Sequence, residues 1–174
     1  AERVPLGSQL DFTGTPRFRV RAAGAFEQLP GCPGSVRDAL GEERTEHICA
    51  GECYNPSDRR RKITRVEVVR IGRQMKPSEE VAELIEDPWL TIPCPTADEL
   101  CEVEFEDPWF ASADRELVYY VRAIQEPTAA VNAEGLRCED GNCDPCYGDY
   151  RTAFDDDCLS MTEERAWSSP IYLR

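Results

Sequence analysis

The sequence has a single histidine, His47, among its 174 residues. Catalysis by a Ser-His-Asp or Cys-His arrangement would have to use that one imidazole. His47 lies two residues before Cys49, which we expect to be oxidised in a disulfide and therefore unable to act as a nucleophile. Metal sites that need several imidazoles are excluded by the same count. Since the sequence also has no phosphate-binding loop and no G-x-G-x-x-G motif, we predict no catalytic residue and no organic cofactor for this chain.

Long apolar stretches and an excess of basic residues are missing as well. The most apolar stretches, such as residues 66–71, are interrupted by charge, whereas a membrane-spanning helix needs about 20 apolar residues. The chain has 20 Lys and Arg against 34 Asp and Glu, a net charge of -14. Nucleic acids and anionic membranes attract basic surfaces. We therefore predict no membrane span and no nucleic-acid partner.

Cysteine is abundant, with nine residues in this one chain. Thiols at this density indicate an oxidising compartment, where disulfides persist. The beginning of the sequence, AERVPLGSQL, has no signal-peptide pattern. We predict a bacterial, exported protein, extracellular or periplasmic, whose signal has been removed. The disulfide candidates are Cys32, Cys49, Cys53, Cys94, Cys101, Cys138, Cys143, Cys146 and Cys158.

The spacing of the cysteines favours one pair and leaves the others open. Cys94 and Cys101 flank a short turn, which favours a disulfide between them. Further links are expected within the long loops 26–60 and 134–160, with one cysteine left over. Zinc is an alternative, because the Cys49-x3-Cys53 and Cys143-x2-Cys146 pairs have chelating loop lengths. A zinc site would leave five cysteines without a role, so the disulfide interpretation is favoured.

Residues 139–158 form a strongly acidic segment. Within it, Asp140, Asn142 and Asp144 have the D-x-N-x-D spacing with which many calcium loops begin. Pro145 stands where the turn glycine of an EF-hand belongs, and Arg151 where its bidentate glutamate belongs. The interpretations are a disulfide-braced calcium loop or a solvated acidic loop. The calcium-ligand candidates are Asp140, Asn142, Asp144 and Asp149.

The hydrophobic pattern has mostly a period of two residues, which is typical of half-buried strands. It predicts strands at 17–22, 62–71, 101–106, 117–124 and 170–173. A two-turn helix capped by Ser78 is predicted over 79–85, and a helical turn over 35–40. The predicted fold is all-β: a single domain, 1–174, that forms a disulfide-braced, Ig-like or jelly-roll-like β-sandwich with long loops and one or two short helices.

The tetrapeptide Glu-Asp-Pro-Trp occurs twice, at residues 86–89 and 106–109. One interpretation makes Trp89 and Trp109 a carbohydrate-stacking platform. The other is that each copy marks the exit of a strand, where proline ends the hydrogen-bond ladder and tryptophan covers the edge of the sandwich. The second interpretation is favoured, because no wider similarity accompanies the four letters.

Four stretches together resemble one protein family: GAFEQLPGCPGS (24–35), GECYNPSDRRRKITRVEVVRIGRQ (51–74), LVYYVRAIQEPTAAVNAEGLRC (117–138) and ERAWSSPIYLR (164–174). They are similar to the C-terminal region of the domain-of-unknown-function family 3604. That family is bacterial and related to the polymerase-and-histidinol-phosphatase (PHP) metal-dependent phosphoesterases. The resemblance implies a β-rich C-terminal part of a larger protein, preceded by a metal-binding hydrolase domain. No His-x-His of that domain occurs here, so no catalytic residue carries over.

Three functions remain open at this point. The first is a secreted, non-catalytic C-terminal β-domain that stabilises or directs a PHP-like hydrolase domain, which would be its partner. The second is an extracellular structural module, such as a filament or surface-assembly subunit, that associates with itself through strand edges. The third is a carbohydrate-binding module that uses Trp89 and Trp109.

Overall fold

The computed structural model describes residues 4–95, 100–131, 137–144 and 158–174, with the backbone alone for 137–139 and 142–144. Within these residues the chain is mostly β, with two short helices, α1 (Gly34–Leu40) and α2 (Glu42–Cys49). No helix in this part of the chain is long and apolar enough to cross a membrane. The strands are β1 (Gln9–Leu10), β2 (Arg17–Ala23), β3 (Phe26–Gln28), β4 (Pro56–Arg60), β5 (Ile63–Gly72), β6 (Ile85–Pro93), β7 (Leu100–Glu106), β8 (Leu117–Gln125), β9 (Thr128–Val131), β10 (Arg137–Glu139), β11 (Asn142–Asp144), β12 (Leu159–Thr162), β13 (Arg165–Trp167) and β14 (Ile171–Leu173).

A six-stranded main sheet forms the framework, in the order β1-β14-β8-β5-β6, with β13 also paired to β8. All its pairings are antiparallel except that of β1 with β14. The centre is β5, where Val66, Val68 and Val69 are fully buried. A strand at the centre of a sheet is expected to be rich in branched apolar residues, as β5 is.

The second layer is a ribbon of two antiparallel strands, β2 and β7. Its apolar side chains alternate with charged ones, so one face is buried and the other carries ion pairs such as Arg17–Glu106 and Arg19–Glu102. Phe18 and Val103 lie on the buried face, in the two clusters that join the ribbon to the main sheet. We call the sheet face under the ribbon the inner face, and the opposite one the outer face. The all-β, sandwich-like architecture is thus confirmed.

The predicted strands correspond to β2, β5, β7, β8 and β14. The predicted helix over 79–85 is wrong, because only Val81–Leu84 form a 3-10 turn and β6 begins at Ile85. Ile85 pairs with Ile71 in the main sheet, so tertiary pairing overrides the local helical pattern. Helix α1 fills the predicted turn at 35–40, whereas α2 has no counterpart in the predictions.

Two disulfides join pairs of cysteines that are both within the described residues. Cys94–Cys101 confirms the predicted pair and lies in the core between ribbon and sheet. Cys32–Cys53 closes the segment that contains α1 and α2. That segment buries little, since α1 has no buried residue and α2 only Thr45. The disulfide and backbone hydrogen bonds therefore hold it in place more than apolar packing does.

Candidate functional site

The two copies of the repeated tetrapeptide meet at one guanidinium group, that of Arg70 on β5. Its Cζ lies 4.4 Å from the ring centroid of Trp89 and 4.8 Å from that of Trp109. Glu86 accepts two hydrogen bonds from Arg70, of 2.8 and 3.0 Å. Asp107 accepts a third, from Nη1, of 2.7 Å. Each copy thus contributes its tryptophan and one carboxylate to the same cation.

Asp107 is the most enclosed member of this cluster, with 1% of its surface exposed. Besides Arg70, it accepts hydrogen bonds from the Tyr119 hydroxyl at 2.7 Å and from the Trp109 backbone N–H at 3.0 Å. Burial, followed by the hydrogen bond to Asp107, raises the pKa of Tyr119 far above its usual value. Burial alone would lower the pKa of Arg70, but its hydrogen bonds to Asp107 and Glu86 raise it. The buried carboxylate is therefore fully paired.

The expectation that both copies mark strand exits is half right. The second copy follows β7 and begins a 3-10 turn, Pro108–Ser112, capped by Asp107. The first copy lies inside β6, at an irregularity in its pairing with β5. Trp89 packs edge-on against Phe105 and Tyr119, with centroids 6.1 Å apart in each case. Trp109 is 48% exposed, so of the predicted platform only this ring is widely open to solvent.

A groove of about 500 Å³ opens beside Trp109, and we call it the Trp109 groove. Arg115 crosses it, donating to Glu79 at 3.0 Å and to Asp114 at 3.2 Å. The pKa of Glu79 is lowered, first by the backbone N–H groups of Met75 and Lys76 that donate to it. Further carboxylates line the groove: Glu80, Glu83 and Glu86. The groove thus combines one aromatic face with hydrogen-bond acceptors.

On the outer face, charged side chains of the main sheet neutralise one another. Arg65 donates to Glu67 at 2.9 Å and twice to Glu163, at 2.7 Å each. Arg122 bridges Glu67, at 2.9 Å, and Asp87. The hydrogen bond with Glu163 raises the pKa of Arg65 and lowers that of Glu163. These carboxylates are engaged by arginines and are not free acids or bases.

Beside this network lies a row of four apolar side chains, one on each of four neighbouring strands. The sheet register pairs Tyr172 with Val118, Val118 with Ile71, and Ile71 with Ile85. Directly paired residues point to the same face, and the adjacent Leu117 belongs to the inner core, so this row lies on the outer face. Tyr172 is 42% and Ile85 41% exposed. We call these four residues the outer row.

The N-terminal segment runs along the same end of the main sheet. Strand β1 pairs in parallel with β14, which brings Gln9 next to Tyr172. The Gly7 N–H donates to the Pro170 carbonyl at 3.0 Å, and the Tyr172 N–H to the Ser8 carbonyl at 2.9 Å. The described N-terminal residues are therefore tied to the strand that carries one end of the outer row.

Cys49 was expected to be in a disulfide, but it is a free thiol. Cys53 is bonded to Cys32, so Cys49 and Cys53 do not form the thiolate pair that the alternative zinc interpretation needed. Cys158 is disulfide-bonded. The side chains of Cys138 and Cys143, and all of Cys146, lie outside the described residues. His47 lies in the last turn of α2 and is exposed.

The calcium prediction falls mostly outside the described part of the chain. Asp140 and Gly141 have φ of 49° and 82° and form the two-residue turn between β10 and β11. Both values are typical of a tight hairpin turn, which Asp-Gly favours. The side chains of Asn142 and Asp144, and all of Asp149, lie outside the described residues. Calcium binding stays a prediction.

Comparison with protein-family models, with curated proteins and with solved structures finds no match to this chain.

Proposed function

We propose that this chain is an exported, non-catalytic β-domain that packs against a PHP-like hydrolase domain and stabilises or directs it. The observation that carries the proposal is the outer row, which gives the outer face an apolar strip across four strands. Exposed apolar strips rimmed by charge are typical of surfaces that contact another protein. Trp167, on the same face and 61% exposed, adds a large anchor of the kind that dominates interfaces.

The path of the chain supports a partner on the N-terminal side. The resemblance places a hydrolase domain before this one, and such a domain would be joined through the segment that pairs with β14. That segment passes Tyr172, at one end of the outer row. A domain tethered there meets the outer row at high effective concentration, so even modest contacts are populated.

The chemistry of the clusters supports binding over catalysis. Asp107 accepts three hydrogen bonds and faces Arg70, while Glu67 lies between Arg65 and Arg122. A general base needs an unpaired carboxylate that can reach a substrate proton. The carboxylates in these two clusters instead serve as acceptors that hold strands together.

The proposal is tested on the longer protein in which a PHP-like domain precedes this chain. Tyr172→Glu places a charge in the outer row and is expected to lower the stability of the hydrolase domain by about 1–3 kcal/mol, the value of one buried large side chain. The measurement is thermal unfolding of the joined protein, monitored through the loss of hydrolase activity with temperature. The control is Tyr54→Glu, since Tyr54 is 73% exposed and lies outside the outer row. Equal behaviour of the two variants would contradict the proposal.

A second measurement addresses the non-catalytic part of the proposal. The chain alone, supplied with manganese or zinc, is expected to leave an aromatic phosphate ester unhydrolysed. Metal-dependent turnover that co-purifies with the chain and disappears on unfolding would overturn this part.

The Trp109 groove favours a second candidate function, carbohydrate binding. Sugars stack on exposed aromatic rings and their hydroxyl groups donate hydrogen bonds to carboxylates, and the groove offers Trp109 together with Glu80 and Glu83. The native protein is expected to bind a glycan on an array through this groove, and Trp109→Ala to abolish that signal. Trp167→Ala is the control, because Trp167 lies on the outer face. An array without signal for the native protein would dispose of this candidate.

A further inference from the structure

The three cysteines of the helical segment bring their sulfur atoms together. The Sγ atoms of Cys32, Cys49 and Cys53 all lie within 4.8 Å of one another. Two of them form the Cys32–Cys53 disulfide, and Cys49 is a free thiol. A thiol thus stands beside a disulfide in the same cluster, which we call the sulfur cluster. Neither the outer row nor the Trp109 groove includes any of these residues.

The local backbone explains why the three residues meet. Cys49 is the last residue of α2, and the chain reverses directly after it through Ala50 and Gly51, with φ of 47° and 79°. The Glu52 N–H donates to the Cys49 carbonyl at 2.8 Å, which closes this turn. Cys53 then returns alongside the residues before α1, where its N–H donates to the Gly31 carbonyl at 3.3 Å. The reversal places Cys49 next to the disulfide.

We propose that the sulfur cluster is a thiol–disulfide exchange site, in which Cys49 attacks the resident disulfide and shifts it among three cysteines. The deprotonated Cys49 sulfur attacks Sγ of Cys32 or of Cys53. The Cys32–Cys53 bond breaks, a new sulfur–sulfur bond forms to the attacked atom, and the displaced sulfur leaves as a thiolate that takes up a proton. One thiol and one disulfide are present before and after, so no oxidant or reductant is consumed.

The packing around the cluster permits a change of pairing. Cys49 and Cys53 are only partly buried, and α1 and α2 together bury a single residue, Thr45. The sulfur atoms are at most 4.8 Å apart, and a segment held by few apolar contacts can open locally and bring a different pair of them together. The Cys94–Cys101 disulfide is different, because both of its cysteines are buried in the core. Exchange is therefore confined to the helical segment.

The exchange has a chemical consequence for the surface of the protein. The free thiol does not belong to one fixed residue but is distributed over Cys32, Cys49 and Cys53. The class of ligand that the site takes is a thiol-reactive one, such as a soluble disulfide or the disulfide of another protein, which would be captured as a mixed disulfide. The external disulfide supplies the oxidising equivalent for that capture, and its second sulfur leaves as a thiol.

The test maps the free thiol by alkylation of the native protein with limiting iodoacetamide near pH 8. The labelled protein is then digested without reduction and its peptides are identified by mass spectrometry. We expect label on Cys49 and, for roughly a tenth of the molecules or more, on Cys32 or Cys53, because exchange populates pairings according to their free energies. Each such molecule must carry the matching disulfide to Cys49. Label on Cys49 alone would overturn the proposal.

Two variants make the test independent of labelling rates. Cys53→Ser leaves Cys32 and Cys49 as the two remaining sulfur atoms of the cluster, and we expect them to form a new disulfide during aerobic preparation. Two free thiols in folded Cys53→Ser protein would overturn the proposal. In Cys49→Ser the exchanging thiol is absent, so Cys32–Cys53 should be the sole pairing and neither residue should be labelled; label there would also contradict exchange through Cys49. The buried Cys94–Cys101 pair serves as the internal control and should stay unlabelled throughout.

Discussion

At the scale of single residues, Asp107 is the most deeply buried charged side chain in the described part of the chain. It is buried, and its oxygens accept from Arg70, Tyr119 and the backbone of Trp109. Removing one partner of a buried ion pair is costly, because the other charge stays behind without compensation. Trp89 and Trp109 enclose the charge of Arg70 further, because both rings contact its guanidinium group. The repeated tetrapeptide is thus explained by packing around one arginine.

Asp107→Asn tests this interpretation directly. The variant keeps the size of the side chain but removes its charge, and we expect it to lower the free energy of unfolding by about 3 kcal/mol. The measurement is urea denaturation followed by tryptophan fluorescence. The matched control is the neighbouring Glu106→Gln, whose partner Arg17 is largely exposed, so that its effect should stay below about 1 kcal/mol. Similar losses in both variants would contradict a special role for Asp107.

Tyr119 provides a test through pH. Its pKa is raised in the folded state, first by burial and then by the hydrogen bond to Asp107. The unfolded chain therefore releases the Tyr119 proton above about pH 10, while the folded chain retains it. The contribution of Tyr119 to the free energy of unfolding is therefore fully present below that pH. It is expected to fall as pH rises, by up to about 1.4 kcal/mol per pH unit.

The experiment compares Tyr119→Phe with Tyr54→Phe by urea denaturation between about pH 8 and pH 11. Both are made in a Cys49→Ser background, which removes the free thiol of Cys49 and with it the exchange proposed above. In Tyr119→Phe the free energy of unfolding should fall less steeply with rising pH, by the contribution of one proton. In Tyr54→Phe, at an exposed position, it should fall as in the parent protein. An unchanged slope in Tyr119→Phe would show that the residue ionises freely when folded.

At the scale of elements, the sequence predicted strands well where one face is buried and the other charged. Ribbon strands β2 and β7 have this alternation, because Phe18 and Val103 face the core while Arg19 and Glu102 pair outside. The pattern fails at β6, since Glu86, Asp87 and Pro88 interrupt its apolar residues. Glu86 and Asp87 lie in a strand because they accept hydrogen bonds across the sheet, Glu86 from Arg70 and Asp87 from Arg122. Cross-strand partners of this kind cannot be identified from a single segment.

The helical segment illustrates a second limit of the sequence. Its polar composition predicted a loop, but α1 and α2 form there with a single buried residue between them. The Cys32–Cys53 link supplies the closure that apolar packing does not. Spacing alone could not select this pair, because Cys49 lies within reach of both sulfurs.

The two disulfides should therefore differ in what their removal does. Replacing Cys94 and Cys101 together by alanine should lower the global free energy of unfolding by about 2 kcal/mol or more, from loop entropy and lost core packing. Replacing Cys32 and Cys53 should instead release mainly residues 29–55. Hydrogen exchange followed by mass spectrometry distinguishes the outcomes. Uniform loss of protection across the main sheet after the second change would contradict a separately closed helical segment.

At the scale of the whole molecule, the two faces of the main sheet have different roles. The inner face is covered by the ribbon, whose aromatic residues pack against Tyr119 and Leu173. The outer face combines the arginine–carboxylate network with the outer row, and it carries Tyr172 and Trp167 in exposed positions. A sheet whose second face is partly apolar is suited to a further layer. We propose that a PHP-like hydrolase domain forms this further layer.

Hydroxyl-radical footprinting tests this assignment most directly. The chain alone is compared with the joined protein of our proposal, in which a PHP-like domain precedes it, and oxidation of Trp167, Tyr172 and Trp109 is measured by mass spectrometry. We expect Trp167 and Tyr172 to be oxidised several-fold less in the joined protein, because the proposed partner domain would cover the outer row, while oxidation of Trp109 in its groove stays unchanged. Equal oxidation of Trp167 and Tyr172 in the two proteins would contradict it.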